Sequence, residues 1–289
     1  MGEALSWANS QLREISESPR TDAHRLLSHV TDREPSWFMA NDAQALSSHD
    51  LRRYSALVSE RRSGVPIAYI VGSSGFFGAT YAVDPNVLVP RPETEHLVEA
   101  AIEFLRRVVR EQCEATVLDV GTGSGALACA IARAVPEAIV HATDISADAI
   151  AVAKRNARQL GVEAQCTFFT GDLTVALPRK RYACIIANLP YIPTAQLPRR
   201  PQSAGFEPVS ALDGGADGLD LYRRLLPQLS AMLIPRALVL FEGAPPVMKT
   251  LARLCCEHFP TSNVTAHRDY ARLERFISVR TGRVAHRTE

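Results

Sequence analysis

Three features of this 289-residue chain predict an α/β fold with a mostly parallel sheet covered by helices on both faces. From about residue 95 onward, short apolar β-prone runs alternate with segments of helical composition, and such alternation builds a parallel sheet. A glycine-dense turn, Gly121 to Gly125, directly follows the first of these runs, at the strand edge where such sheets bind ligands. Residues 1–70 carry helical periodicity instead, which predicts a small N-terminal bundle ahead of the sheet.

In chain order, Leu5, Ala8, Leu12 and Ile15 form a first helical stripe. Ala23, Leu26, Leu27 and Val30 form a second, and Leu51, Tyr54, Leu57 and Val58 a third. Ser18-Pro19 and Glu34-Pro35 punctuate the gaps. His24, His29 and His49 lie on separate stretches with no shared spacing and are expected to be ordinary surface or core histidines. From Gly64 the texture changes. Val65 to Val71, Gly75-Phe76-Phe77-Gly78 and Tyr81-Ala82-Val83 are β-prone and interrupted by glycine, which predicts a hairpin linker over 71–92. Pro92, followed by Glu93 and Glu95, suits the first turn of a helix running to about Arg110. Residues 93–289 then form the sheet domain, with strands near 116–120, 138–143, 165–169, 182–187, 237–241, 263–267 and 275–280. Helices are expected near 124–135, 146–160, 217–232 and 245–258. The last two strands are joined by Arg268 to Leu273, too short for a parallel crossover, so an antiparallel final strand is expected. Pro193 to Pro208 reads as a loop over the site, and Thr281 to Glu289 as a frayed tail.

Composition sets the bounds. With 46% apolar and 22% charged residues the chain is globular, and a net charge of +1 gives no general attraction for nucleic acid. Its six cysteines include no C-x-x-C pair and no histidine lies at ligand spacing, so buried free thiols and no metal are expected. There is no signal-peptide core and no apolar run long enough to span a bilayer, so the expected location is cytoplasmic.

The chemistry sits in two motifs. Thr116-Val117-Leu118-Asp119-Val120-Gly121-Thr122-Gly123-Ser124-Gly125 reads as a strand, a glycine turn and the start of a helix. Glycine lets the backbone approach a ligand, and a helix N-terminus opens beside it. Gly121-x-Gly123-x-x-Ala126 also satisfies the dinucleotide fingerprint, so this run alone leaves nicotinamide, flavin and S-adenosylmethionine enzymes open. Asp144, ending the next apolar run, is placed to accept from both ribose hydroxyls, a need common to NAD and S-adenosylmethionine. Asp119 favours the second, because a carboxylate attracts the cationic amino-acid end of S-adenosylmethionine and repels a pyrophosphate. Both acids also suit plain turn or cap roles.

The second motif is Asn188-Leu189-Pro190-Tyr191, within the run Ala187 to Pro193 that follows the apolar segment Tyr182 to Ile186. An amide, a proline-fixed backbone and an aromatic ring suit the grip of a planar NH2 group. The same residues also make an ordinary strand-ending turn.

Taken in order, these blocks resemble the peptide chain release factor N5-glutamine methyltransferases, within the Asn-Pro-Pro-Tyr class of S-adenosylmethionine-dependent amino-methyltransferases. The blocks are Ser18-Pro19-Arg20-Thr21-Asp22-Ala23, Val89-Pro90-Arg91-Pro92-Glu93-Thr94-Glu95, Asp119 to Gly125 and Asn188 to Tyr191. Phe206-Glu207-Pro208 and Arg268-Asp269-Tyr270 with Arg275 follow. Leu189 stands where the family usually has proline, a form also seen in adenine-N6 methyltransferases of ribosomal RNA. In Phe241-Glu242-Gly243-Ala244 the apolar residue that usually separates Glu and Gly is missing.

The resemblance implies a Rossmann-like class I methyltransferase sheet and a helical substrate-recognition domain. It also implies methyl transfer to the glutamine of the Gly-Gly-Gln motif in class I release factors, which makes a protein the partner. S-adenosylmethionine would be the donor and S-adenosylhomocysteine the product. Asn188 and the Leu189 carbonyl would each accept one N–H of the amide, Pro190 would stiffen the turn, and Tyr191 would pack on the amide plane, a contact of roughly 1 kcal/mol. Asp119, Gly121, Thr122, Gly123, Ser124, Gly125 and Asn188 would contact the cofactor, with Asp144 at the ribose and Asp172-Leu173 at the adenine. Two other readings compete: adenine-N6 methylation of DNA or RNA, with Arg199-Arg200 toward the nucleic acid, and a non-catalytic module that keeps the fold to hold a translation partner.

Overall fold

The computed structural model describes residues 1–112, 115–269 and 271–282, so Cys113, Tyr270 and most of the expected tail lie outside the described residues. Two compact units result. One comprises Met1–Ser73, Val83–Pro85 and Pro198–Glu207; the other comprises Ser74–Ala82, Asn86–Leu197 and the described chain from Pro208 onward.

The first unit is helical: α1 (Gly2–Leu12), α2 (Pro19–Thr31), α3 (Pro35–Ala40), α4 (Ser48–Arg62) and α5 (Ile67–Val71). Pro19 and Pro35 open their helices, where a missing N–H does no harm, and Ser47 caps α4 by accepting from the Asp50 N–H at 3.0 Å. The three stripes meet in one core around Leu12, Leu26, Leu27 and Tyr54, whose hydroxyl donates to the Ala23 carbonyl at 3.0 Å. Arg61 forms a buried ion pair with Asp22 at 2.8 Å and also donates to the Ser203 hydroxyl at 3.1 Å. Gly64 sits at φ +101 with the Pro201 carbonyl where a Cβ would be. Residues 198–207, expected as part of a loop over the site, are thus fastened into the helical unit.

Two expectations need correction. Val65 to Val71, expected as β-prone, contains α5 instead, because Ile67, Ile70 and Val71 pack against the helical core and this outweighs β-branched propensity. Helix α3 was not foreseen: with six residues it is too short to show a period, though its Phe38 is buried.

The second unit begins with a hairpin, β1 (Ser73–Phe76) and β2 (Ala79–Ala82), turned through Phe77 and Gly78 at positive φ. Then come α6 (Glu95–Gln112), β3 (Ala115–Val120), α7 (Ala126–Ala134), β4 (Ala138–Asp144), α8 (Ala147–Gln159), β5 (Cys166–Thr170) and β6 (Tyr182–Ala187). The unit finishes with α9 (Asp220–Leu229), β7 (Leu233–Glu242), α10 (Pro245–His258), β8 (Asn263–Arg268) and β9 (Glu274–Arg280).

The seven strands run in the order β5-β4-β3-β6-β7-β9-β8. The five from β5 to β7 are parallel, β9 is antiparallel to β7, and β8 pairs antiparallel with β9. This is the expected α/β sheet. Every residue of β6 is buried, and from Cys184 onward its side chains alternate between two cores: Cys184 and Ile186 face α6 and α7, while Ile185 and Ala187 face α9 and α10. Strand order reverses between β3 and β6, where Val120 pairs with Ala187. The glycine turn and Asn188 therefore leave the sheet side by side, at the switch point where such folds hold ligands. Among the described residues no helix is long and apolar enough to cross a membrane. Cys129, Cys166, Cys184 and Cys255 are buried free thiols, and Cys256 is exposed.

Candidate active site

A cavity of about 160 Å³ opens at this edge, lined by the glycine turn, Asp144, Asp172-Leu173 and Asn188 to Pro190. Its glycine wall is set by backbone conformation. Gly121, Gly123 and Gly125 have φ of +76, +54 and +77, a region that side chains with a Cβ enter at a penalty. The Gly121 and Thr122 N–H groups both donate to the Thr143 carbonyl, at 2.8 and 2.9 Å, which folds the turn onto β4. Gly125 lies outside the cavity wall and heads α7, where a Cβ would meet that of Ala153 at 3.0 Å.

Asp144 holds the turn from below: Oδ2 accepts from the Gly123 N–H and Oδ1 from the Ser146 N–H, both at 2.9 Å. Burial raises its pKa and these N–H donors oppose the rise. Each oxygen keeps a further lone pair for a hydroxyl. Asn156, fully buried on α8, ties the Ser124 carbonyl at 2.8 Å to both polar groups of Ala82 in the hairpin. Asp172 is paired with Arg224, another cavity residue.

Asp119 lies behind the cavity wall, completely buried. Its Oδ2 accepts from the Thr122 hydroxyl at 2.6 Å, and its Oδ1 has no partner among the described residues. Burial pushes its pKa up to about 7; the Thr122 hydroxyl and the Ala128 N–H oppose this, and Asp144 adds to it. An orphaned carboxylate oxygen fits a cationic ligand group, which would restore its charge.

On the opposite wall, the Asn188 side-chain NH2 donates to the Thr94 hydroxyl at 3.3 Å, leaving its amide oxygen free of any donor in the protein's described residues. Leu189 is buried and presses on Gly121: a Cβ there would lie 2.8 Å from Leu189 Cδ2. The Leu189 N–H donates to the Tyr222 hydroxyl at 3.3 Å, which donates to the Glu242 carbonyl at 2.6 Å. Tyr191 is not part of the cavity wall. Its hydroxyl donates to Glu242 Oε1 at 3.4 Å, because a buried phenol needs an acceptor. Burial raises the pKa of Tyr191, with Glu242 adding to the shift.

Sequence reasoning missed Thr94, Tyr222 and Glu242. Thr94 stood inside a block already noted, and Glu242 carried the signal that picked out Asp144, an acid closing an apolar strand.

Residues 3–72 match the PrmC N-terminal domain and residues 94–198 the methyltransferase small domain. Release factor glutamine methyltransferase of Moorella thermoacetica is 40% identical over 227 residues, covering 78% of each chain. That of Coxiella burnetii is 35% identical over 281 residues, covering 97% of this chain and 98% of its own. The chain belongs to the release factor glutamine methyltransferase family. Members of this family are enzymes, and methyl transfer is this chain's class of reaction. Solved structures agree on the fold. A methyltransferase from Pyrococcus furiosus aligns with a TM-score of 0.51 at 15% identity over 79% of this chain and 98% of its own. The T. thermophilus 16S rRNA N2 G1207 methyltransferase, in complex with AdoMet and guanosine, gives 0.52 at 18% identity over 72% and 49%.

Proposed function

We propose that this family member transfers the methyl group of S-adenosylmethionine to the side-chain amide nitrogen (N5) of the Gly-Gly-Gln glutamine of class I release factors. The observation that carries the reading is the arrangement of Asn188: its NH2 is engaged by Thr94, so its oxygen is the acceptor left for an incoming N–H.

A carboxamide nitrogen is a poor nucleophile, since its lone pair is delocalised into the carbonyl. With one N–H on Asn188 Oδ1 and the other on the Leu189 carbonyl, the nitrogen is oriented and its electron density raised. This is catalysis by positioning and electrostatics. Methyl transfer to the held nitrogen would require the loss of one of its protons, which becomes more acidic as the nitrogen gains positive charge.

S-adenosylmethionine supplies an activated methyl, and the residues present suit its parts. The open glycine turn would line its methionine portion, the Asp119 carboxylate behind that turn would favour its ammonium by charge, and Asp144 would accept from its ribose hydroxyls. Pro190 stiffens the turn directly after the two accepting groups. The helical unit serves to recognise the protein substrate. The names of relatives at 34–40% identity favour glutamine over adenine.

Incubating the protein with a release factor and labelled S-adenosylmethionine, then locating the methyl by mass spectrometry, tests the reading. Addition of one methyl at the Gly-Gly-Gln glutamine is expected. Transfer to nucleic acid alone would overturn it.

A further inference from the structure

The hairpin β1–β2 is a sheet of two strands, so one edge of β2 has no neighbouring strand. Asn156 on α8, 0% exposed, meets that edge with its side chain. Its Oδ1 accepts from the Ala82 N–H at 2.7 Å and its NH2 donates to the Ala82 carbonyl at 3.0 Å, the double exchange that a residue of a neighbouring strand would make. The second hydrogen of the same NH2 goes to the Ser124 carbonyl at 2.8 Å, so the amide donates all it has. Three residues earlier on α8, Ala153 leaves little room for a Cβ on Gly125.

The two parts that Asn156 joins both border the cavity, while Asn156 itself stays outside the wall. Ser124 belongs to the glycine turn. Phe76 on β1 lines the cavity from another side, and so do Asn86, Val87 and Leu88 just after β2. The hairpin is braced: Phe76 and Tyr81 meet edge to face with centroids 5.9 Å apart, and the Phe77 N–H donates to Glu95 Oε1 at 2.8 Å. A displacement of β2 is therefore passed to Phe76 on one side and, through a single amide, to the Ser124 carbonyl on the other.

We propose that Asn156 is a positioning residue for the cofactor site: it couples the hairpin to the glycine turn, so that a ligand ordering the turn also tightens the hairpin, and a loosened hairpin weakens the ligand. Coupling of this kind is reciprocal. A leucine would fill the same space but leave one N–H and two carbonyls without their partner, and an aspartate would set a carboxylate against both carbonyls. The inference rests on the reading that the cavity holds S-adenosylmethionine, and deepens it by assigning the hairpin to that site.

The test uses S-adenosylhomocysteine, which occupies the site without turnover, on wild type, Asn156→Asp and Asn156→Leu. Val162→Ala controls for plain loss of stability, since Val162 is buried in the core that α7 helps to form but is absent from the cavity wall. Affinity is measured by calorimetry and amide hydrogen exchange by NMR. In wild type, saturating ligand should slow exchange of the Ala82 N–H about tenfold and leave that of the Phe259 N–H, just after α10, unchanged. Both Asn156 variants should bind the ligand roughly tenfold more weakly, an ordinary size for coupling between two sites, and lose the ligand's effect on Ala82. Val162→Ala should lose stability with affinity within about twofold of wild type.

Wild-type affinity in both Asn156 variants, or an Ala82 N–H in wild type that exchanges at the same rate with and without bound ligand, would overturn the proposal. If neither variant folds, the wild-type exchange measurement decides alone. If wild type binds no S-adenosylhomocysteine, the cofactor reading fails and the coupling is read without ligand: the Gly125 N–H, bonded to the Thr122 carbonyl at 2.8 Å, must exchange faster in Asn156→Asp than in Val162→Ala. Equal rates there would reduce Asn156 to packing alone.

Discussion

The two walls of the cavity are built by different means. The glycine turn takes its shape from its own backbone, with Gly121 and Gly123 at positive φ and the Gly121 and Thr122 N–H groups bonded to the Thr143 carbonyl of β4. The Asn188 wall takes its shape from side chains remote in sequence: Thr94 before α6, Tyr222 on α9 and Glu242 on β7. A wall made of backbone can present N–H groups and a tight curve to a ligand of fixed shape. One made of side-chain hydrogen bonds can present a chosen acceptor in a chosen orientation, which methyl transfer to an amide requires. On this view the first wall governs cofactor affinity and the second governs turnover.

Asn188→Ala tests that division most severely. Removing the accepting oxygen should lower kcat by roughly 10²–10³-fold, the scale seen when one preorganised polar group is lost from a reacting centre. Cofactor affinity, measured by calorimetry, should change far less. Equal losses in both would erase the distinction between the walls.

A smaller effect is expected at the glycine wall from Asp119. Its folded-state pKa of about 7 lies above the ordinary 3.8. Without ligand, the native state therefore holds a proton that the unfolded chain releases, and stability falls as pH rises from about 4 to about 7. A ligand ammonium needs the charged carboxylate. Cofactor affinity should accordingly weaken about tenfold between about pH 8 and pH 6, following the ionised fraction of a group with that pKa. Asp119→Asn should bind more weakly with no such trend. A flat affinity in the wild-type protein over this range would place the ammonium elsewhere.

The same contrast explains what the sequence disclosed. Gly121, Gly123, Asp144 and Asn188 were legible because each sits at the end of an apolar strand, and the parallel sheet brings such ends together by topology alone. The partners of Asn188 were not. Thr94 belongs to a short turn whose side-chain direction no periodicity reports, and Tyr222 looks like one more core position of an amphipathic helix. Glu242 ends a strand as Asp144 does, but β7 is not the strand next to the glycine turn, so nothing in the order of motifs ties it to a ligand. The sequence likewise gives no sign that the hydroxyl of Tyr191 is bonded to Glu242. The α5 segment shows the converse case, where β-branched residues became helical because a helical core was available to bury them.

The smallest expected effect concerns Leu189, where this chain departs from the proline usual in its family. Proline has no N–H, so the bond from Leu189 to Tyr222 exists only with a residue such as leucine here. Tyr222→Phe leaves that buried N–H and the Glu242 carbonyl unpaired, and should destabilise the protein by about 1–3 kcal/mol with only a modest loss of turnover. In a Leu189→Pro background the same substitution orphans the carbonyl alone. A double-mutant cycle on unfolding free energy should therefore show Tyr222→Phe to be less damaging in that proline background than with Leu189 in place. Additive effects would mean that the 3.3 Å contact carries no stabilisation, and that the second wall rests on Thr94 and Glu242 without Leu189.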